Sequence, residues 1–330
     1  MTKIFFIGDT HFGKVYPFLK NYELNISKRN EDTISNCEKI INTAIEEKAN
    51  YVIFLGDLYD RQTISPTIRK ILRNKIFRPL NKQNIPVIIL GGNHDSIRNA
   101  RRGADIEELS NFPNVSVCTE FDTKIIDLEN GQRLGLVLLP YIHFDVLVEM
   151  AKGIGISIPE NQDHYIIAQK IIKDYIFRIC KGKLKDCDKK VLIGHYFLEG
   201  AKIREISNPS MLYGEFIFNK EMIQRELFDL VMFGHVHLRQ DMWNDPRIVI
   251  LGSIDRLDFG ERDGEKEYCV YYPEKDEDDL EYRKIECRNL FKVEIEISDK
   301  TENYTEYVLD NLPKKEEILE SLCKIIIKVP

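Results

Sequence analysis

Six times in this chain an unbroken apolar run stops at a glycine, and after five of them the polar residues that follow are aspartate, asparagine or histidine. The run ending at Ile7 leads into Gly8, Asp9, Thr10 and His11, and the run ending at Leu55 leads into Gly56 and Asp57. Residues 87–90 lead into Gly91, Gly92, Asn93, His94 and Asp95, and 191–193 into Gly194 and His195. Residues 230–233 lead into Gly234, His235, Val236 and His237, and 248–251 into Gly252 and Ser253. A short run with no polar interruption reads as a strand with neither face in water. Glycine directly after it permits a narrow turn, so the next polar side chains project from the strand's end. One such unit is ordinary. Six of them imply that many strand ends converge on one polar site.

The residue types at those ends suit hard or borderline divalent cations: carboxylate, amide oxygen and imidazole, from Asp9, His11, Asp57, Asn93, His195, His235 and His237. In extended backbone i and i+2 share a side, so Asp9 with His11, and His235 with His237, can face one cavity. Seven ligands exceed the needs of one ion once water is counted. Two metals about 3.5–4 Å apart, sharing a bridging carboxylate, fit better. The plain alternative, a set of unrelated polar turns, is weakened by the histidine count. The chain has seven histidines, and five of them (11, 94, 195, 235, 237) lie in these turns. His143 and His164 follow no such run and read as surface or loop residues.

Around these units the chain alternates strand and helix as far as Asp95. Residues 32–48 carry Ile34, Cys37, Ile41, Ala44 and Ile45 on one face of a helix, and Ser65-Pro66 caps a second helix running to about 82. Residues 14–26 read as an irregular loop. Beyond Asp95, short strands at 115–117, 123–128 and 134–139 suggest a more antiparallel sheet, and a helix at about 162–180 precedes the His195 strand. The acidic stretch 274–279 reads as a boundary. The expected fold class is α/β (α+β), with two sheets packed face to face and helices outside. Residues 1–273 would form the main domain and 280–330 a small, incomplete α+β lobe.

With 43% hydrophobic and 31% charged residues the composition is that of a globular protein. No stretch approaches the ~20 apolar residues of a membrane span, and the first residues read as a strand rather than a signal peptide. The expectation is a cytoplasmic protein with no membrane contact. Seven scattered cysteines without a C-x-x-C pair suit neither a disulfide framework nor a thiolate zinc site. A net charge of −7 has the wrong sign for gripping nucleic acid over the whole surface, so any such contact must be local or shared with a partner.

The order G-D-x-H, G-D, G-N-H-D, G-H, G-H-x-H resembles the calcineurin-like metallophosphoesterases, and 252–261, GSIDRLDFGE, resembles the segment after the last metal motif in the SbcD-type DNA-repair nucleases. The resemblance implies a two-sheet metallophosphoesterase sandwich with a dinuclear centre, usually of manganese, and a capping domain after residue 280. It implies one ion on Asp9, His11, Asp57 and His237 and another on Asp57, Asn93, His195 and His235, with Asp57 bridging. His94 would stay free of metal and assist the leaving oxygen. Implied partners are DNA, an SbcC-type ATPase and a second copy of the chain, for whose contact 66–82 is a candidate. No helical ATPase-binding tail is read after the lobe, so how the ATPase docks is not legible. Asp60 stands where archaeal and eukaryotic relatives have histidine.

Candidate DNA contacts are Arg61, Arg98, Arg101 and Arg102, with the lysines of 181–190 as further candidates. Arg256 reads equally well as a structural partner. Two other functions compete with a nuclease. Gly56-Asp57-Leu58-Tyr59-Asp60-Arg61 resembles the phosphoprotein phosphatases, although Gln62 and Asp95 depart from their pattern. The other is a non-catalytic DNA-end scaffold, which would have no need of His94.

Overall fold

The computed structural model describes residues 1–16, 20–21, 26–95, 104–153, 155, 158, 163–203, 216–298, 303–316 and 318–329. The glycine-terminated runs are strands of two six-stranded sheets. In the first, Ile4–Ile7, Tyr51–Phe54, Val87–Leu90 and Val115–Cys118 pair in parallel. Lys266–Tyr271 and then Leu280–Ile285 extend it antiparallel beyond Ile4–Ile7. In the second, Arg133–Leu139, Lys189–His195, Leu230–Gly234 and Asp245–Ile250 pair in parallel. Asp122–Asp127 and Gln240–Met242 close its two edges antiparallel.

Side-chain alternation explains why these runs are apolar throughout. Ile4, Phe6, Ile53, Leu55, Ile88 and Leu90 face the second sheet and meet Leu136, Leu138, Val191, Ile193 and Met232 in one buried layer. Their neighbours Phe5, Ile7, Val52, Phe54 and Ile89 face outward onto Ile34, Ile41, Leu72 and Phe77 of the covering helices. On the far side Val137, Leu139, Leu192, Val231 and Phe233 pack on Ile172 and Ile176. The result is helix, sheet, sheet, helix.

Helix Lys28–Glu46 begins earlier than its periodicity suggests, because Ser27 caps it by accepting from the Asn30 amide. The stretch 66–82 is helical throughout but passes through a π turn at Arg73–Phe77. Pro79 lies just beyond; it has no N–H to donate and its ring crowds the preceding turn, a conflict that the wider turn relieves.

Several expectations are corrected. Of the three short strands expected to be antiparallel, Asp122–Asp127 and Arg133–Leu139 do form an antiparallel hairpin, but Val115–Cys118 pairs in parallel with Val87–Leu90, and Arg133–Leu139 also pairs in parallel with Lys189–His195. The acidic stretch 274–279 is a hairpin turn rather than a domain boundary. It joins two strands of the first sheet, with the Tyr272 amide donating to the Asp279 carbonyl at 2.8 Å. The small lobe therefore starts after Ile285: Leu290–Glu296 pairs in parallel with Leu322–Lys328, and Tyr304–Asp310 is helical. Residues 17–19 and 22–25 of the expected aromatic loop lie outside the described residues. Among the described residues no helix is long and apolar enough to cross a membrane.

Candidate metal centre

Parallel strands present their C-terminal ends at one edge, and here both sheets turn that edge the same way. The Asp9 amide donates to the Gly252 carbonyl at 3.2 Å and the Ile254 amide to the Asp9 carbonyl at 3.1 Å, so the two sheets are joined at the site. All seven expected ligands gather there. The side chains of Asp9, His11 and His237 form one candidate group, Asp57, His195 and His235 a second, and His11, Asp57 and His94 a third.

Asp57 lies at the middle. One of its oxygens is 3.4 Å from His11 Nε2 and 3.3 Å from His195 Nε2, and the other accepts from the His94 amide at 2.9 Å. Asn93 Oδ1 lies 3.2 Å from His195 Nε2 and 3.0 Å from His235 Nδ1. Asp9 accepts from the His235 amide and lies 3.7 Å from His237 Nε2. This closeness depends on missing side chains. A Cβ on Gly92 would sit 2.1 Å from Asp57 Oδ1, and one on Gly56, whose φ is +108°, 2.1 Å from His195 Nδ1. Three ligands also carry backbone strain: His11, Asp57 and His235 have φ of 45°, 44° and 87°. Non-glycine residues held there cost of order 1–3 kcal/mol each and cluster at functional sites.

The electrostatics follow from burial and crowding. Burial alone would raise the Asp57 carboxyl, but the imidazoles of His195, His11 and His94 hold it well below its ordinary value. Burial disfavours the imidazolium of His195, yet Asp57 and Asp9 outweigh it and push its pKa up to about 10. Burial and the neighbouring His195 push His235 down to about 3. Asp95, which accepts from the amides of Tyr59 and Gly92 and so shapes the turn, is raised to about 7 by burial and the Asp57 charge.

The imidazole orientations fit a cation. His195 Nδ1 faces the Leu55 carbonyl at 2.7 Å, His237 Nδ1 faces Glu261 at 2.9 Å, and His11 Nδ1 faces Asp60 at 3.4 Å. Each of these oxygens favours a proton on Nδ1, so Nε2 is the nitrogen turned inward to meet a cation. The Nε2 atoms of His11 and His237 then confront each other at 3.1 Å, two acceptors with nothing to share unless a cation lies between them. The donors are nitrogen and oxygen only, a set that suits manganese, iron or zinc.

The Calcineurin-like phosphoesterase family model matches residues 2–239. This chain belongs to that family. As a calcineurin-like phosphoesterase it is a metal-dependent hydrolase of the kind that uses a dinuclear centre. Among solved structures, a putative 5'-nucleotidase from Staphylococcus aureus is 14% identical with a TM-score of 0.47; the match covers 86% of this chain and 53% of that one, about half its length. A dimetal phosphatase from Danio rerio is 11% identical, with 86% and 96% covered and a TM-score of 0.46. The phosphoesterase YfkN from Bacillus subtilis is 12% identical, with 86% and 88% covered and a TM-score of 0.44. Identities this low do not carry a substrate across.

His94 packs edge-on to His11 at 4.7 Å between ring centres, and its Nδ1 lies 2.8 Å from the Asp60 carbonyl. It lines a cleft of about 550 Å³ with Asp60, Arg61, Gln62, Thr63 and Asn93. The Arg61 side chain is 53% exposed at the rim of this cleft. Arg98, Arg101 and Arg102 lie outside the described residues. The lysines of 181–190 are misplaced as phosphate contacts: they lie before or at the start of Lys189–His195, and Lys189 is about 20 Å from His195 by strand rise. Arg256 is structural, its guanidinium donating to the carbonyls of Gly264, Cys287 and Arg288. His143 and His164 are half-exposed and share Asp145. Sequence reasoning missed Glu261, the carboxylate on His237, and gave no role to Asp60, the carboxylate beside His11.

Proposed function

We propose that this phosphoesterase is a DNA nuclease, the SbcD-type subunit of a double-strand-break repair complex, which hydrolyses phosphodiesters with two manganese ions. The observation that carries this reading is the place of the segment 252–261. Its Glu261 holds His237, its Asp255 pairs with buried Arg29 at 2.9 Å, and its Arg256 holds the carbonyls of Cys287 and Arg288 at the foot of the small lobe. The stretch that most resembles the SbcD-type nucleases thus joins the metal residues to the lobe that would cap DNA.

One ion would be held by Asp9, His11, Asp57 and His237, the other by Asp57, Asn93, His195 and His235. Bound cations supply an acidified water and neutralise charge that builds on the phosphoryl oxygens. The chain's part is positioning. Asp57, fixed by the His94 amide, holds both halves of the site in register, and Asn93 spans His195 and His235. The Asp60 carbonyl orients His94 through Nδ1, and in its protonated form the ring donates from Nε2 to the leaving oxygen. DNA, an SbcC-type ATPase and a second copy of the chain are the proposed partners.

A metallophosphatase is the second reading, favoured by exposed Arg61 beside His94, which is well placed to meet a phosphate monoester. Manganese-dependent degradation of linear duplex DNA, with and without a co-expressed ATPase, is compared with hydrolysis of an aryl phosphate and a phosphopeptide. Cleavage of DNA above the monoesters supports the nuclease; monoester hydrolysis with intact DNA overturns it.

A further inference from the structure

We infer that Glu261 is a positioning residue for one of the two ions, holding His237 in the tautomer and orientation that ion requires. His237 is a metal ligand only if its Nε2 is bare and aimed inward. Glu261 Oε1 lies 2.9 Å from Nδ1, which keeps the proton there. This carboxylate cannot swing away, because its other oxygen takes the Lys266 ammonium and lies 3.3 Å from the Leu257 amide.

Lys266 is 4% exposed and uses all three of its donors: Glu261, the Ser253 hydroxyl at 2.7 Å and the His237 carbonyl at 3.0 Å. One buried cation therefore clamps the carboxylate, the strand-end hydroxyl and the backbone of the ligand itself. A buried Lys–Glu pair is a costly way to close a loop, since desolvation offsets much of its attraction. Its geometry is better explained by what it orients. The contrast within the site is one of distance: His11 Nδ1 lies 3.4 Å from Asp60, whereas His237 Nδ1 lies 2.9 Å from Glu261. The inference rests on the two-ion reading and adds that, of the two histidines assigned to this ion, His237 is the one held firmly from behind.

The test is manganese titration of the full chain by calorimetry, with electron paramagnetic resonance to tell coupled pairs from single ions. Outer carboxylates of this type contribute about 10- to 100-fold in metal affinity. Glu261→Ala is expected to weaken one of two binding steps by that factor, leave the other within threefold, and replace the coupled-pair spectrum by that of a single ion. Glu261→Gln, which keeps the volume and one acceptor, is expected to fall between this variant and the wild type. If Glu261→Ala fails to fold, Glu261→Gln decides alone. Two unchanged binding steps overturn the inference, as does equal weakening of both steps with a lowered melting temperature of the ion-free protein, which would mark a structural tie. A wild type that binds no manganese overturns the two-ion reading as well.

Discussion

In the ion-free protein His195 carries a proton at pH 7, because Asp57 and Asp9 push its pKa up to about 10 against the cost of burial. An imidazole cannot hold a metal and that proton through the same nitrogen. His195 Nδ1 is committed to the Leu55 carbonyl at 2.7 Å, so the proton on Nε2 must leave as the ion arrives. Removing it at pH 7 costs about 4 kcal/mol, which lowers manganese affinity about a thousandfold from its high-pH limit. His235, pushed down to about 3, has no such proton to give. Titrations in two buffers of different ionisation enthalpy should show about one proton released from this site, and affinity should rise about tenfold per pH unit from pH 6.5 to 8.5. The folding linkage has the opposite sign. With its folded pKa raised, His195 stabilises the ion-free protein fully below about pH 6.5, and that contribution fades as pH rises toward about 10. Buffer-independent heats with a flat pH profile would refute the reasoning, because His195 would then already be neutral.

Gly92→Ala should displace Asp57, whose Oδ1 and backbone N would lie 2.1 and 2.3 Å from the new methyl; calorimetry should register the loss of at least one manganese ion, and the melting temperature should fall. Arg29→Met strands the fully buried Asp255 carboxylate, so urea denaturation should show a loss of about 3–5 kcal/mol. His94→Ala should bind two manganese ions with near-normal affinity while hydrolysis falls about 10²- to 10⁴-fold; a lost ion would instead make His94 a ligand.

Much of the site was legible in the sequence because strands buried on both faces leave an unmistakable apolar run, and the glycine after each marks where the polar residues emerge. Direction was not legible. Val115–Cys118 runs parallel to Val87–Leu90 and Arg133–Leu139 to Lys189–His195, but a short buried strand has the same composition whichever way it runs. The hairpin at 274–279 reads as a boundary in the sequence because a solvated acidic turn and a linker share a composition; only the register of Leu280 against Tyr271 separates them. Glu261 follows no apolar run and meets His237 across 24 residues. It closes the segment 252–261, but neither that segment nor Lys266 five residues on points to His237 until the fold buries them together.

The seam between the sheets has a consequence for how the protein is made. Asp9, His11, Asp57 and Asn93 come from one sheet, while His195, His235 and His237 come from the other and are synthesised later. A nascent chain that has emerged only as far as Asp95 offers four of the seven ligands, Asp9, His11, Asp57 and Asn93, and none of the three from the second sheet. Ion capture must wait until the second half has been translated and has docked, so a tightly held pair of ions certifies that both halves have met.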